Sequence, residues 1–258
     1  MLKTWFSLSR WENYLLLAVA AVACLIVVTL RADAQSQASF LHFAAPHRHV
    51  LQATPRNHEP KWIARHAWIV RQANTRAYDV MLLGDSITQG WDYNRQAWRH
   101  AFPGISALNA GIASDRVEHV LWRVEHGLLS RFKPRVIILL AGVNNLASDS
   151  PDAIEGGMAR VIVQIRHRSP ATKILLLGLL PSGESPDHPR RAQIRAVNER
   201  LLHLADGDMV HYLDIGASFL TLDGHLPKSV AFDGLHLTHS GYRIWTQAMA
   251  APLKALLH

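Results

Sequence analysis

Residues 78–90 read YDVMLLGDSITQG, an apolar run that passes directly into a turn. The apolar part predicts a buried strand, and Gly84 suits the tight bend that follows it. Asp85, Ser86 and Thr88 are all good helix N-cap residues, so a simple helix cap would account for the turn. The alternative is that Ser86 is a nucleophile, displayed where the strand gives way to a helix.

The chain on either side of this turn predicts a parallel sheet. Apolar runs of strand length alternate with amphipathic stretches of helical length, a pattern typical of parallel strands joined by right-handed helical crossovers. We predict five strands, at residues 79–83, 105–109, 135–141, 173–179 and 209–213. We predict six helices, at residues 61–76, 94–101, 116–129, 151–168, 188–205 and 240–257. The predicted fold class is α/β, a three-layer α/β/α sandwich around a five-stranded parallel sheet.

The N-terminal segment does not follow this pattern. Residues 14–30 are 17 residues without a charge, about the shortest run that can cross the ~30 Å hydrocarbon layer as a helix. Residues 1–34 therefore form either a cleavable signal peptide, which would be cut after the Ala-Asp-Ala at 32–34, or an uncleaved transmembrane anchor. Both alternatives predict export to the periplasm or the extracellular space, and the second adds attachment to the inner membrane.

Residues 31–60 hold three prolines and no sustained periodicity. We therefore predict a linker at residues 35–59 and a single domain at residues 60–258. The histidines of this stretch have no acidic or cysteine neighbour at metal-ligand spacing, so we expect them to be solvated. They are His42, His47, His49 and His58.

The net charge of +7 is concentrated at the N-terminal end of the chain. Residues 1–76 contain nine Lys and Arg against three acidic residues, and the remainder is nearly neutral. This distribution favours a solvated tether over attraction to an anionic membrane or an acidic polymer, and it predicts no nucleic-acid partner. The one cysteine of the chain, Cys24, permits no intramolecular disulfide, so an exported domain must rely on its core.

Ligands of such sheets bind at the carboxyl ends of the strands. Ser86 follows the first predicted strand, Gly111 the second and Asn144 the third. A serine nucleophile needs a base, and Asp233 and His236 are spaced so that the carboxylate can hold one imidazole nitrogen while the other faces Ser86. The N–H groups of Ser86 and Gly111 and the amide of Asn144 could stabilise an oxyanion. Each residue has a structural alternative as a turn or cap residue, but their joint occurrence favours the catalytic interpretation.

The same four blocks resemble those of the SGNH (GDSL-like) hydrolase family. The resemblance covers about residues 60–258 and is strongest to the platelet-activating-factor acetylhydrolase catalytic-subunit branch and its bacterial relatives, through residues 178–184 and 233–242. The blocks are Gly84-Asp85-Ser86-Ile87-Thr88, Gly111, Gly142-Val143-Asn144 and Asp233-Gly234-Leu235-His236.

This resemblance implies an esterase that uses neither a metal nor an organic cofactor. Ser86 would be the nucleophile, His236 the general base and Asp233 the residue that orients it, with Ser86, Gly111 and Asn144 forming the oxyanion hole. The substrates implied are esters, with acetyl a common acyl group.

Export and this resemblance together predict a serine esterase that deacetylates a polysaccharide or exopolysaccharide. The alternatives are a lysophospholipase or broad lipid esterase, a glycan O-acetyltransferase, and a tethered, non-enzymatic binding module of an envelope complex. Sugar stacking could involve Trp91, Tyr93 or Trp98, although these residues could equally belong to the core or its rim. The expected partners are an acyl ester or acetylated glycan and, through an uncleaved N-terminal segment, a membrane.

Overall fold

The computed structural model describes residues 49–258. The predicted signal peptide or anchor and residues 35–48 of the predicted linker lie outside the described residues. Among residues 49–258, none of the helices combines the length and the apolar character that a membrane span needs.

A sheet of five parallel strands forms the centre of the domain, in the order β2-β1-β3-β4-β5. This confirms the predicted sheet, and the strand ends differ from the prediction by no more than two residues. The strands are β1 (Val80–Gly84), β2 (Ala107–Gly111), β3 (Val136–Leu140), β4 (Lys173–Leu177) and β5 (Val210–Leu213).

Helices cover the sheet. In chain order, α3 packs against α7, whereas α4 packs against α5 and α5 against α6. Right-handed crossovers between parallel strands place these two groups on opposite faces of the sheet. The helices are α1 (Pro60–Thr75), α2 (Ser86–Gln89), α3 (Arg95–Ala101), α4 (Val117–Arg123), α5 (Pro151–Arg168), α6 (Pro189–Leu201) and α7 (His239–Leu256).

The predicted helix at residues 116–129 is shorter than expected. Helix α4 ends at Arg123, and the following turn, Val124–Leu128, is wound more widely than an α-helix. His126 and Gly127 leave the helical conformation there, and Gly127 has a φ of 95°. Glycine adopts this left-handed backbone without the cost that a side chain imposes, which is why the helix stops at this position.

The last part of the predicted linker packs against the domain instead of leaving it. Val50 is fully buried, the side chain of His49 bonds to Asp149, and Arg56 donates to the carbonyl of Ala113. These contacts show that residues 49–59 belong to the folded domain. A segment without hydrophobic periodicity can still bury single side chains against a neighbouring surface, which is why the sequence did not indicate this packing.

Strands β1 and β3, at the middle of the sheet, determine where the segments that follow them emerge. Every residue of β1 and β3 is buried, as expected for strands covered on both faces. Because the two strands are parallel neighbours, the segments that follow them emerge side by side at one edge. Ser86 and Asn144 are in these two segments.

Gly111, the last residue of β2, lies directly beneath helix α2. A β-carbon at Gly111 would come 2.2 Å from the backbone nitrogen of Gln89. We predict that Gly111→Ala lowers the free energy of unfolding by about 1–3 kcal/mol or more, because backbone cannot give way as a flexible side chain can. Urea denaturation measures this change.

A matched control is Gly156→Ala in helix α5, where the nearest atom to a new β-carbon is the flexible tip of Leu51 at 3.3 Å. This variant should be neutral or more stable by up to about 1 kcal/mol, because alanine favours a helix interior. Equal stabilities for the two variants would contradict the close approach of α2 to β2.

Candidate active site

A continuous chain of hydrogen bonds joins Ser86, His236 and Asp233. The Ser86 Oγ lies 2.9 Å from the His236 Nε2, and the His236 Nδ1 lies 2.7 Å from one carboxylate oxygen of Asp233. The carboxylate accepts only from a protonated nitrogen, so Nδ1 carries the proton and Nε2 is left to accept from the Ser86 hydroxyl. The structure thus brings these three sequence-predicted residues together across 150 positions of the chain.

A short closed loop presents His236 to Ser86. Ala231 and Leu237 form an antiparallel bridge across the base of the loop. Gly234 has a φ of 74°, which favours glycine, and its carbonyl accepts from the N–H of Gly183 at 2.8 Å. Gly183 follows strand β4, so the loop is fastened to the sheet edge at which Ser86 emerges.

Asp233 is held as an anion by its own loop. Its second carboxylate oxygen accepts from the backbone N–H groups of Leu235 and His236, at 3.0 and 2.7 Å. Partial burial alone would raise the pKa of Asp233, but the hydrogen bonds from the side chain and backbone of His236 and from Leu235 hold this pKa below its ordinary value. A carboxylate that stays charged can stabilise a protonated imidazole.

The turn that carries Ser86 is shaped by its neighbours. Asp85 caps helix α2, accepting from the N–H of Ile87 at 2.9 Å. Ser86 is therefore the first residue of that helix, where a backbone N–H has no acceptor within the helix. Gly84 allows the turn to lie against β3, since a β-carbon there would come 2.1 Å from the Leu140 carbonyl oxygen. Asp85 is thus a structural cap, and the cap and nucleophile interpretations apply to different residues of one turn.

Asn144 is tied to the loop that follows β2. Its side-chain nitrogen donates to the carbonyl of Asp115 at 2.8 Å, which leaves its second N–H available. The preceding Gly142 has a φ of 121°, a conformation that only glycine adopts readily, and the following Asn145 binds the N–H of Val117 at 3.0 Å. This Gly-Val-Asn-Asn segment is therefore held at both ends while Asn144 faces the loop.

Ser114, in the loop between Gly111 and Asp115, is a candidate residue of this site that the sequence did not indicate. Within residues 49–258 it is the one non-glycine residue with positive φ, at 61°, a conformation that carries strain and often marks a functional position. Its backbone N–H donates to no oxygen of the described residues. It is adjacent to Asp115, whose carbonyl holds Asn144. Only the backbone angle reveals Ser114, because no pattern of residue types distinguishes it from other loop serines.

The backbone N–H of Gly111 is not the free oxyanion donor that the sequence predicted. Its N–H donates to the side-chain oxygen of Asn109 at 3.0 Å, so this N–H already has an acceptor. Its carbonyl accepts from Arg65 at 3.2 Å. The absence of a side chain at Gly111 is explained by the close approach of helix α2. Three positions later, the N–H of Ser114 has no acceptor among the described residues.

A buried ion pair supports the same loop from below. Arg123 is fully buried, and its guanidinium donates to the Ala110 carbonyl at 2.6 Å and to the Gly84 carbonyl at 3.0 Å. The Arg123 Nε lies 2.8 Å from a carboxylate oxygen of Asp115. The other oxygen of Asp115 accepts from the indole of Trp62 at 2.7 Å. One guanidinium thus joins the ends of β1 and β2 to the loop that carries Ser114.

An open pocket of about 540 Å³ lies beside Ser86 and His236. Trp91 and Trp98 are almost completely buried and pack edge to face on each other, so they belong to the core and cannot stack on a sugar. Tyr93 is 81% exposed and lines the pocket. Within residues 49–258, no group of three or more His, Cys, Asp or Glu side chains is arranged to hold a metal ion.

The parallel sheet together with the Ser86, His236 and Asp233 chain defines a hydrolase of the serine type. Comparison with known proteins agrees. The sequence pattern described as the GDSL-like Lipase/Acylhydrolase family matches residues 82–244. The chain belongs to this family and is an ester-hydrolysing enzyme.

Curated relatives are similar over most of the domain. The rat platelet-activating factor acetylhydrolase IB subunit alpha2 is 37% identical over 185 residues, which cover 71% of this chain and 80% of the relative. The human platelet-activating factor acetylhydrolase IB subunit alpha1 is 32% identical over 198 residues, covering 76% and 84%. The tethered, non-enzymatic alternative is not supported, since Ser86 and His236 are both present.

Solved structures share the fold. A GDSL-like lipase from Bacteroides thetaiotaomicron has a TM-score of 0.62 at 19% identity, covering 74% of this chain and 98% of that one. An acetylxylan esterase from Geobacillus stearothermophilus has a TM-score of 0.56 at 17% identity, covering 69% and 94%.

The ion pair of Arg123 and Asp115 makes a testable prediction. Arg123→Met should lower the free energy of unfolding by about 3 kcal/mol, because it removes the fully buried partner of Asp115 and leaves the carboxylate only the longer ion pair with Arg56, at 3.3 Å. In the double variant with Asp115→Asn part of this loss should be recovered. Denaturant unfolding measures both changes, with the exposed Arg160→Met as the control. A double variant no more stable than the single one would contradict this account of the pair.

Asp85 makes a second prediction, for the pH dependence of stability. Complete burial raises the pKa of Asp85 to about 7. The hydrogen bond from the N–H of Ile87 acts in the opposite direction, and the negative charge of Asp115 raises this pKa further. An unfolded aspartate titrates near ~4, so between about pH 4 and 7 the folded state binds more protons and its stability falls as the pH rises.

Asp85→Asn keeps the acceptor oxygen and cannot ionise. Relative to the wild type, it should gain stability as the pH rises from 4 to 8, by up to about 4 kcal/mol. Urea denaturation at a series of pH values measures this difference, with the exposed Asp187→Asn as the control. Parallel pH curves for Asp85→Asn and the wild type would show that Asp85 ionises normally in the folded protein.

Proposed function

We propose that this enzyme is an exported acetylesterase that deacetylates a polysaccharide or exopolysaccharide through an acyl-enzyme on Ser86. The observation that carries the chemistry is the 2.9 Å contact between the Ser86 Oγ and the His236 Nε2, at the wall of a pocket open to solvent.

In the first half of the reaction, the Ser86 Oγ attacks the ester carbonyl carbon while the His236 Nε2 takes the hydroxyl proton. The carbonyl π bond opens and places a negative charge on the carbonyl oxygen. Asp233 stabilises the imidazolium formed at His236. When the intermediate collapses, the ester C–O bond breaks, His236 returns the proton to the leaving alcohol, and an acetyl ester remains on Ser86.

Three donors are suited to the oxyanion of this intermediate. They are the backbone N–H of Ser86, the free N–H of the Asn144 side chain and the backbone N–H of Ser114, which replaces Gly111 in this proposal. The strained backbone of Ser114 and its connection to Asn144 through Asp115 support this assignment. Preorganised donors of this kind are each worth about 10²–10³ in rate.

In the second half, water attacks the carbonyl carbon of the acetyl-enzyme while His236 takes a proton from it; the bond to the Ser86 Oγ then breaks, His236 returns the proton to that oxygen, and acetate leaves. A sugar hydroxyl in place of water would make the enzyme a glycan O-acetyltransferase, with the same residues and a different acceptor. Hydrolysis is favoured because His236 is 37% exposed at its side chain, so solvent reaches the base directly.

A small acyl group and a carbohydrate are supported separately. The relatives named as acetylhydrolases support acetyl as the acyl group, and the acetylxylan esterase of similar fold supports a glycan. The second candidate is a phospholipid acetyl ester or a broader lipid ester, and the same acetylhydrolase relatives favour it. The side chains beside Ser86 combine polar Gln89, Asn94 and Thr238 with apolar Phe232 and Leu237, so this lining accommodates either candidate and the substrate panel decides between them.

The test is a substrate panel with a nucleophile variant. The wild type should release acetate from acetylated xylo-oligosaccharides and from p-nitrophenyl acetate, and should act poorly on long-chain lipid esters. Ser86→Ala should reduce every activity at least about 10³-fold, since the nucleophile is lost, while thermal unfolding shows that the variant is folded. Retained activity would refute Ser86 as the nucleophile, and exclusive activity on long acyl chains would refute the carbohydrate proposal.

Export rests on the apolar run at residues 14–30. Mass spectrometry of the mature protein distinguishes its two forms, since a cleaved signal peptide gives an N-terminus near residue 35 and an anchor gives the intact chain. Recovery of the intact chain in a soluble cytosolic fraction would overturn the proposal of export.

A further inference from the structure

A second and larger cavity lies next to the pocket of Ser86. It has a volume of about 950 Å³ and runs between helices α3 and α7. We call it the α3/α7 groove. Tyr93, Asn94 and His239 line both this groove and the pocket beside Ser86. The two cavities therefore adjoin at these three residues, and the groove is the neighbouring surface into which a long substrate bound at Ser86 would extend.

The junction of the two cavities is built from polar groups with fixed roles. Asn94 is buried, and its side-chain nitrogen donates to the carbonyl of Gly90 at 2.8 Å, so its oxygen is turned towards the Nδ1 of His239. Because an amide oxygen only accepts, the His239 Nδ1 carries a proton. The Nε2 of His239 has no partner among residues 49–258 and is free to bind a ligand.

The charged side chain of the groove is positive. Arg243, on helix α7, lines the groove opposite His100 on helix α3, and no Asp or Glu side chain belongs to the lining formed by the described residues. Arg243 donates to the hydroxyl of Ser240 at 3.1 Å and forms no ion pair within residues 49–258. A cation without a counter-ion among the described residues, in a groove whose wall also presents the imidazole of His239, is suited to an anionic group.

The lining also argues against an acyl chain or a cationic headgroup. Its aliphatic part consists of Ala97, Ala101 and Ala250, with no Leu, Ile, Val or Phe among the described residues that line it. The amides of Gln96 and Gln247 add donors and acceptors suited to hydroxyl groups. Tyr93, largely exposed at the junction, presents a ring face to a sugar. A choline group would require a carboxylate or an aromatic cage, and the groove supplies neither.

We propose that the α3/α7 groove binds the alcohol part of the ester, and that this part is an oligosaccharide chain bearing carboxylate groups. The acetylated sugar lies at Ser86, and the neighbouring uronate units lie along the groove with a carboxylate at Arg243. The inference rests on the proposed function and deepens it, by assigning the polysaccharide an acidic character.

The test compares Arg243→Gln with the wild type on three substrates: an acetylated oligogalacturonide, a neutral acetylated xylo-oligosaccharide and p-nitrophenyl acetate. The wild type should prefer the acidic glycan to the neutral one. In Arg243→Gln, the ratio of kcat/KM for the acidic glycan to kcat/KM for p-nitrophenyl acetate should fall about tenfold, as for the loss of one charge-assisted hydrogen bond. The loss should reside in KM, and kcat should not fall.

Arg99→Gln is the matched control, because Arg99 is an exposed arginine on helix α3, one wall of the groove, and does not line the groove itself. It should leave all three activities unchanged. Added salt should reduce the preference of the wild type for the acidic glycan, because the ions screen an exposed charge.

The possible failures are distinguishable. If the wild type hydrolyses p-nitrophenyl acetate but neither glycan, the proposed carbohydrate function fails. If it hydrolyses the acidic glycan and Arg243→Gln changes its KM no more than Arg99→Gln does, the groove proposal fails and the proposed function stands. A wild type that prefers the neutral glycan, or an acetylated phospholipid, also overturns the acidic-glycan proposal.

Discussion

The ion pair between the buried guanidinium of Arg123 and Asp115 is the contact on which the active site depends. Arg123 reaches the ends of β1 and β2 through the carbonyls of Gly84 and Ala110, and it reaches the loop after β2 through Asp115. A charge removed from water must keep its partners, since the cost of leaving it unpaired is several kcal/mol. The strand that precedes Ser86 and the loop that carries Ser114 are therefore held in one arrangement.

The same loop is fastened from other sides, which removes the freedom that a surface loop usually has. Trp62 and Arg56 bind the carboxylate of Asp115, and Asn144 binds its carbonyl. This density of contacts allows Ser114 to keep a backbone conformation that would otherwise relax. In the proposed mechanism, donors held in place in this way need not reorganise when an oxyanion forms, and such preorganisation is a main source of rate in sites of this kind.

The two halves of the site differ in how they are supported. The Ser86 turn and the loop after β2 rest on buried groups, whereas the side chains of His236 and Asp233 are 37% and 42% exposed. The exposed half is ordered mainly by local hydrogen bonds within the loop of Gly234 and by one bond to Gly183. The rigid half suits the role of stabilising charge, and the exposed half suits the exchange of protons with substrate and water. The open junction towards helices α3 and α7 lies beside the exposed half.

The sequence by itself determined the five strands, through the near-continuous apolar runs of β1, β3 and β4 and through the alternation of all five runs with stretches of helical length. It also predicted that Ser86, Asp233 and His236 act together, because their chemistry depends on residue type and short spacing, and the structure joins them by hydrogen bonds. It also indicated Asn144 as a residue of the site. Tertiary structure alone decided that Gly111 serves packing while Ser114 leaves its N–H free. It also decided that Trp91 and Trp98 are core and that Arg123 supports the site. These outcomes depend on which atoms meet across the sheet and on backbone angles, and neither is encoded in the spacing of residue types.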